Sequence, residues 1–332
     1  MRKNKKNIGI IGLGSYLPKK VLTNKDLEGM VDTNDEWITT RTGIKERRIA
    51  ASHESTSVLA FNAAKEALKN ANLKPEDIEL IIIATITPDM SFPATACLVQ
   101  HMLGAKNAAC FDVSAACAGF VYAMVMAEQF LSKGVYKNAL IVGAEKLSAV
   151  TDWQDRNTCV LFGDGAGAAV LAPVSNGGIL ASTLGSDGSL SELLMLPAGG
   201  SKMPATKETV ENRQHFIKMK GNEVFKLAVK IMSDAACNAL KQCKLTVEDI
   251  DCFIPHQANK RILDAVARKM HLPLERIFFN VASYGNMSSA STAVALCEAY
   301  NSGRIKGGDV VVLDAFGAGL VWGSCVIQWP KP

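Results

Sequence analysis

Residues 67–84 read ALKNANLKPEDIELIIIA, and residues 239–256 read ALKQCKLTVEDIDCFIPH. The two align without a gap at an offset of 172 (239 − 67), with Ala-Leu-Lys, a later Leu and Glu-Asp-Ile in register. Each stretch reads as the end of a helix, a short turn and a β-strand. Self-similarity of this kind marks a repeated architecture. Two further pairs follow in the same order. FDVSAACAGF (111–120) resembles FNVASYGNMS (279–288): a strand end, a turn of small residues and a helix start. LFGDGAGAAVL (161–171) resembles AFGAGLVWGSC (315–325), each carrying Phe-Gly-x-Gly into a strand. The expectation is a duplicated α/β domain, with halves at 1–175 and 176–332 and the joint near Asn176-Gly177-Gly178. Continuous apolar runs such as IELIIIAT, ALIVGA and VVVLDAF predict sheets covered on both faces by helices. The stretches 57–71, 222–243 and 259–270 are predicted among those helices.

The bulk properties fit such a protein. With 332 residues and 48% hydrophobic content the chain can bury a sizeable core. A net charge of +4 is too mild to point to nucleic acid or an anionic membrane. The nine cysteines lack CxxC spacing, so small buried thiols in a reducing compartment are expected and zinc is not. The basic N-terminus with the apolar run Ile8 to Leu13 is too short for a signal peptide and is predicted to be the first strand. No stretch reaches the length of a membrane span. A cytoplasmic protein is expected.

Cys117 lies between a predicted strand ending at Val113 and an apolar helix predicted from about Ala116. At a helix N-terminus, unpaired backbone N–H groups and the helix dipole favour a thiolate. A packed core cysteine is the competing reading of the same spacing. His256 is predicted just beyond a strand end, where ligands gather in α/β folds, although a lone histidine is more often structural. Asn286 aligns beside the repeat counterpart of Cys117 (117 + 168 = 285), which gives the two residues a reason to face each other across a pseudo-twofold axis. A helix-capping role is the alternative.

The blocks GIIGLGSYLP, DEWITTRTGIKERR, DVSAACAGF, LFGDGAGAAVL, GNEVFKLAV, PHQANKRI, YGNMSSAS and FGAGLVWGS stand in this order along nearly the whole chain. Together they resemble the β-ketoacyl-acyl-carrier-protein synthase III family. The resemblance implies the thiolase fold, a five-layered αβαβα sandwich of two similar halves, working as a homodimer. It implies that Cys117 takes an acyl group from acyl-CoA, usually acetyl-CoA, and that decarboxylation of malonyl-acyl carrier protein (malonyl-ACP) supplies the carbanion that attacks it. His256 and Asn286 would donate to the developing enolate, with the backbone N–H groups of Cys117 and Ala318 as oxyanion hole. Trp37 and Arg156 resemble a pair that sandwiches the CoA adenine. Arg41, Asn222, Phe225, Ala258, Asn259 and Arg261 resemble residues along the CoA channel. Phe92 and Phe162 are implied at the acyl pocket, Phe92 from across the dimer interface. No metal or redox cofactor is called for.

Two positions depart from the family pattern near the active centre. Ala318 stands where Gly is usual, so a positive φ there would be strained. Met287 stands where Thr is usual. On the predicted helix after His256, Arg261, Arg268 and Lys269 share a polar face suited to an acidic carrier protein. The rival readings are a specialised condensing enzyme of secondary metabolism, a thiolase, a chain-elongating ketosynthase, an acyl-CoA hydrolase and a silent scaffold. Asn286 in the third position disfavours a thiolase. The absence of a second histidine in a family-like block disfavours an elongating ketosynthase, and the intact Cys-His-Asn set disfavours a scaffold.

Overall fold

The computed structural model describes residues 6–331; part of the basic N-terminal stretch, residues 1–5, lies outside them. Strands β1 (Ile8–Tyr16), β2 (Leu80–Ala84), β3 (Ala109–Val113), β4 (Ala139–Lys146) and β5 (Asp164–Pro173) form one sheet in the order β1-β5-β4-β2-β3. The pairings along that order are antiparallel, antiparallel, parallel, parallel. Strands β6 (Gly178–Ser186), β7 (Cys252–Pro255), β8 (Val310–Gly317) and β9 (Val321–Gln328) form a second sheet in the order β6-β9-β8-β7. Its pairings are antiparallel, antiparallel, parallel. In the fifth position only a parallel bridge, Phe253 to Ile277, remains. The two sheets therefore share one topology.

Helices α1 (Thr56–Asn70), α2 (Thr95–Leu103), α3 (Gly119–Ser132), α4 (Gly221–Gln242), α5 (Lys260–Met270) and α6 (Ser289–Asn301) supply the other layers. Helices α1 and α4 end 172 residues apart (242 − 70), and β2 and β7 begin 172 apart (252 − 80), as the sequence repeat requires. The stretches predicted at 57–71, 222–243 and 259–270 agree with the observed helix limits within one residue; the helix predicted from about Ala116 begins at Gly119, and β1 runs three residues past the predicted Leu13.

Side-chain alternation places each layer. On β2, Ile81 and Ile83 face the outer helices α1 and α2, while Leu80, Ile82 and Ala84 face the centre. On β8, Val312 and Phe316 face α4 and α5, while Val311, Leu313 and Ala315 face the centre. The central layer is α3 and α6, and the result is the five-layered αβαβα thiolase fold. Helix α3, GFVYAMVMAEQFLS, buries Phe120, Val121, Met124 and Leu131 between the sheets. Each such side chain contributes about 1.5–3 kcal/mol on burial, so neither half can leave it exposed to water. Helix α6 lies close on the first sheet. A Cβ at Gly143 of β4 would stand 2.5 Å from the Ser289 carbonyl oxygen, so only glycine admits this approach. That contact draws the start of α6 up to the ends of β2 and β4, where the functional residues lie.

Candidate active site

After β3 the chain turns sharply through residues 114–118. Ala116 takes φ 42°, a region few non-glycine residues occupy, and a single 3-10 turn, Ala116–Ala118, precedes α3. This turn sets Cys117 at the base of the central helix, with the end of β8 pressed against it. The helix N-terminus is where the sequence places it, but burial is the stronger influence on the thiol. Cys117 is 9% exposed, and desolvation pushes its pKa up to about 12, with the Ser288 hydroxyl pulling the other way. Burial thus works against the thiolate that the helix N-terminus favours. A Cβ at Gly317 would stand 2.6 Å from the Cys117 amide nitrogen. Gly317→Ala should therefore displace that amide and lower kcat by about 100-fold, the scale set by a 1 Å misplacement. Steady-state kinetics on folded variant would check this, and near-normal turnover would refute the tight packing.

His256 follows β7, and its backbone N–H donates to the Asp314 carbonyl oxygen at 2.7 Å. The imidazole is 2% exposed, and neither ring nitrogen has a protein partner. Burial brings its pKa down to about 3, so the ring is neutral at physiological pH. Asn286 is pinned by backbone: its N–H donates to the Leu161 carbonyl at 2.8 Å and its carbonyl accepts from Gly163 at 3.0 Å. Its side-chain Oδ1 accepts from the Ser288 N–H at 2.8 Å, which leaves Nδ2 as the donor.

Cys117, His256 and Asn286 line one cavity of about 1000 Å³. Of the other sequence-predicted residues, Trp37, Arg41, Phe162, Asn222, Phe225, Ala258, Asn259, Arg261 and Ala318 line it too. Arg41, Asn222 and Arg261 are exposed at one end, while the Cys, His and Asn are buried. The cavity thus joins a cationic mouth to an enclosed floor. Arg156 is outside the lining. Its guanidinium lies 4.9 Å from the Trp37 ring centroid and donates to the Asp32 carbonyl at 2.7 Å, while Arg41 lies 4.6 Å from the same centroid. No gap for an adenine is open between Trp37 and Arg156 in this arrangement. Phe92 is also absent from its own chain's cavity and stands 85% exposed.

The two departures from the family pattern leave the floor undisturbed. Ala318 keeps ordinary backbone angles, because the positive φ of 141° falls on Gly319. Met287 turns away from the cavity into a cluster with Leu17, Tyr284, Ala290 and Val294. Arg268 faces a separate hollow beside Asp264 and His271. Lys269 is paired with Asp234 of α4 at 3.1 Å, so its charge is partly neutralised. The sequence missed the apolar wall formed by Ile86, Leu147, Val150, Leu194 and Ile217. The last two lie in the insertion between β6 and α4; its counterpart between β1 and α1 carries Trp37 and Arg41. Matching insertions in the repeat were the signal available. No helix among the described residues is long and apolar enough to cross a membrane.

Two sheets of one topology around shared central helices, with Cys117, His256 and Asn286 converging in one cavity, define a thiolase-like condensing-enzyme architecture. Residues 111–188 match the family 3-Oxoacyl-[acyl-carrier-protein (ACP)] synthase III, and residues 240–329 match its C-terminal counterpart. The chain is 59% identical to the β-ketoacyl-[acyl-carrier-protein] synthase III of Caldanaerobacter subterraneus subsp. tengcongensis, over 97% of this chain and 98% of that one. The structure of the 3-oxoacyl-[acyl-carrier-protein] synthase III of Aquifex aeolicus VF5 superposes with a TM-score of 0.90 at 50% identity, covering 97% of this chain and 100% of that one. The priming β-ketosynthase of the R1128 polyketide pathway superposes with a TM-score of 0.92 at 36% identity, covering 100% and 99%. The chain belongs to the β-ketoacyl-[acyl-carrier-protein] synthase III family of enzymes.

Proposed function

We infer that the chain initiates fatty-acid synthesis by condensing a short acyl-CoA with malonyl-ACP through an acyl-Cys117 intermediate. The observation that carries this reading is the convergence of Cys117, neutral His256 and the free Asn286 Nδ2 on one enclosed floor. Cys117 Sγ attacks the acyl-CoA carbonyl, the bond to the CoA sulfur breaks, and CoA leaves as the thiol. Malonyl-ACP then loses carbon dioxide. His256 and Asn286 donate to its thioester carbonyl as that becomes an enolate, a role that suits preorganised neutral donors in a dry site. The enolate carbon attacks the acyl-Cys117 carbonyl while the Cys117 and Ala318 N–H groups hold the oxyanion. The Cys117 sulfur departs as a thiolate, takes up a proton from solvent to restore the thiol, and β-ketoacyl-ACP is released. No resident cofactor takes part in these steps.

Trp37, Arg41 and Arg156 hold the adenine end of CoA, with Arg156 swinging off Trp37 to admit it. Asn222, Phe225, Ala258, Asn259 and Arg261 line the path of the pantetheine arm, and Phe162 bounds the acyl group. The two functional halves are residues 1–175, carrying the nucleophile, and 176–332, carrying His256 and Asn286. The enzyme works in the cytoplasm as a homodimer. The edge strand β3 is nowhere buried, and Phe92, Met90 and Met102 are exposed beyond what a monomer's surface favours. Pairing there would carry Phe92 to the partner's acyl pocket. Intact-protein mass spectrometry after incubation with a panel of acyl-CoAs tests the whole reading. One short acyl group retained on Cys117 supports it. Preferential retention of an unusual primer would favour a specialised priming synthase like the R1128 enzyme, and turnover to free acid without retention would favour hydrolysis.

Carrier-protein docking falls to the basic surface beside the mouth. Arg261 there stacks over Phe225 at 5.7 Å, and Arg268 of α5 and Lys226 and Lys230 of α4 are exposed. Lys269 contributes less, because Asp234 holds it. Charge reversal in Arg268→Glu plus Lys269→Glu should slow malonyl-ACP use about tenfold at low salt, with the deficit shrinking as salt rises. Acylation by acyl-CoA should be nearly unaffected. Equal losses with both substrates would point to a damaged fold instead.

A further inference from the structure

We propose that Gln257 is a positioning residue for condensation: its buried side-chain amide ties the strand end that carries His256 to the segment that delivers Asn286, and so sets the spacing between the two enolate donors. This rests on the reading of His256 and Asn286 as those donors. Gln257 does not line the cavity, so its effect on the reaction passes through the residues it holds.

The Gln257 side chain is completely buried, and every hydrogen-bonding position on it is filled. Nε2 donates to the Pro255 carbonyl at 2.8 Å and to the Phe278 carbonyl at 3.1 Å. Oε1 accepts from the Asn280 N–H at 3.0 Å and from the Val281 N–H at 3.3 Å. A primary amide has two N–H donors and two lone pairs on its oxygen, so the count closes. All four partners are backbone groups of fixed polarity, which lets the amide sit only one way round. A buried bond of this kind is costly to leave unmade, and the amide therefore grips both segments at once.

What it grips is the approach to each donor. The Pro255 carbonyl shares a peptide bond with the His256 nitrogen, which donates in turn to Asp314. On the other side, β7 and the incoming segment meet at the bridge of Phe253 and Ile277, where the Phe278 N–H donates to the Phe253 carbonyl at 2.9 Å. Past that point β7 has ended, and Gln257 supplies the link by side chain. Asn280 and Val281 open the short helical turn Val281–Tyr284, which the Gly285 N–H closes on the Val281 carbonyl at 2.9 Å, and Asn286 follows. The turn is thus held at its start by Gln257 and at its end by the bonds of Asn286 to Leu161 and Gly163. Cys117 stands outside this frame, because the turn after β3 sets it. Asn259, on the proposed CoA path, has its own anchors: it donates to the Arg41 carbonyl at 3.1 Å and accepts from the Arg261 N–H at 2.8 Å.

The test uses the full-length protein. Release of labelled carbon dioxide from malonyl-ACP reads decarboxylation, intact mass after acetyl-CoA reads acylation of Cys117, and thermal melting reads the fold. Gln257→Glu keeps the size and the bonds from Asn280 and Val281, but turns a carboxyl oxygen toward the Pro255 and Phe278 carbonyls. It should lower kcat for decarboxylation about 100-fold, the scale of a 1 Å misplacement, while Cys117 is acylated at a near-normal rate. Gln257→Met, which lacks the amide, should behave alike, and should only one of the two fold, that one decides. Added to Asn286→Ala, Gln257→Glu should cost about tenfold or less, because a residue that acts through another is not additive with it. A wild-type decarboxylation rate, an equal fall in acylation, or a full further loss of about 100-fold in the Asn286→Ala background overturns the proposal. Loss of fold in both variants overturns it too, by making Gln257 a residue of stability alone. Normal decarboxylation in His256→Ala and Asn286→Ala would instead defeat the donor reading, a result distinct from a silent Gln257→Glu.

Discussion

Cys117→Ser should show no stable mass gain with any acyl-CoA and should lose condensation by at least about 1000-fold, the scale seen when a covalent nucleophile is removed. The reason is chemical rather than steric. Serine fits the same volume at the base of α3, but its hydroxyl is a poorer nucleophile than a thiol, and an ester is harder to resolve by carbon attack than a thioester. Eight other cysteines provide an internal control. Cys159, Cys252, Cys297 and Cys325 are buried, with thiols pushed upward by desolvation and outside the cavity lining. Cys97 and Cys110 are more accessible but lie on α2 and the edge strand β3, outside the cavity lining. Intact mass followed by peptide mapping therefore separates site-directed acylation from adventitious labelling. Full acyl retention in Cys117→Ser would mean that the nucleophile lies elsewhere.

The second large effect divides the reaction into halves. His256→Ala and Asn286→Ala should each lower malonyl-ACP decarboxylation by about 100- to 1000-fold, the usual loss for one donor at an oxyanion site. Acylation of Cys117 should survive in both, because neither side chain contacts the thiol as a base in the proposed scheme. Release of labelled carbon dioxide measures the first half, and intact mass measures the second. The electrostatics add a further expectation. The His256 pKa lies near 3 in the folded protein, so the ring is already neutral at pH 5 and stays neutral to pH 8. The decarboxylation rate should show no histidine titration in that window. An inflection near pH 6.5 that vanished in His256→Ala would indicate an imidazolium and contradict the neutral-donor role.

Much of this architecture was legible because duplication leaves two copies of each local signal. The Glu-Asp-Ile turns at residues 76–78 and 248–250 each fix a helix end and a strand start, so their common offset dictated the sheets before any tertiary contact was considered. The convergence of Cys117, His256 and Asn286 on one cavity was legible for a related reason: strand ends followed by small residues recur at matching places. The opposing pull of burial on the Cys117 thiol was not, because helix position is written locally whereas burial depends on how closely the neighbouring elements approach the turn. The surroundings of Glu145 were hidden for the same cause. In the sequence it is an acid at the end of a strand. Only the docking of α6 onto glycine-bearing β4 brings Ser289 Oγ to 2.9 Å from its buried carboxylate. Met287 shows the converse, since its place in the chain put it next to the site while its side chain packs the other way.

The unequal completion of the two sheets bears on how many copies can join. A repeated fold inherits two equivalent edges, and a chain presenting both would have a valence of two and be free to grow into a filament. Here the first sheet keeps β3 as a full strand with an open flank, whereas the matching flank of the second is reduced to the single bridge at Ile277. That asymmetry would give the chain a valence of one through a contact of this kind. Two copies that joined edge to edge through β3 across a twofold axis would each use that strand, leaving no equivalent flank for a third copy.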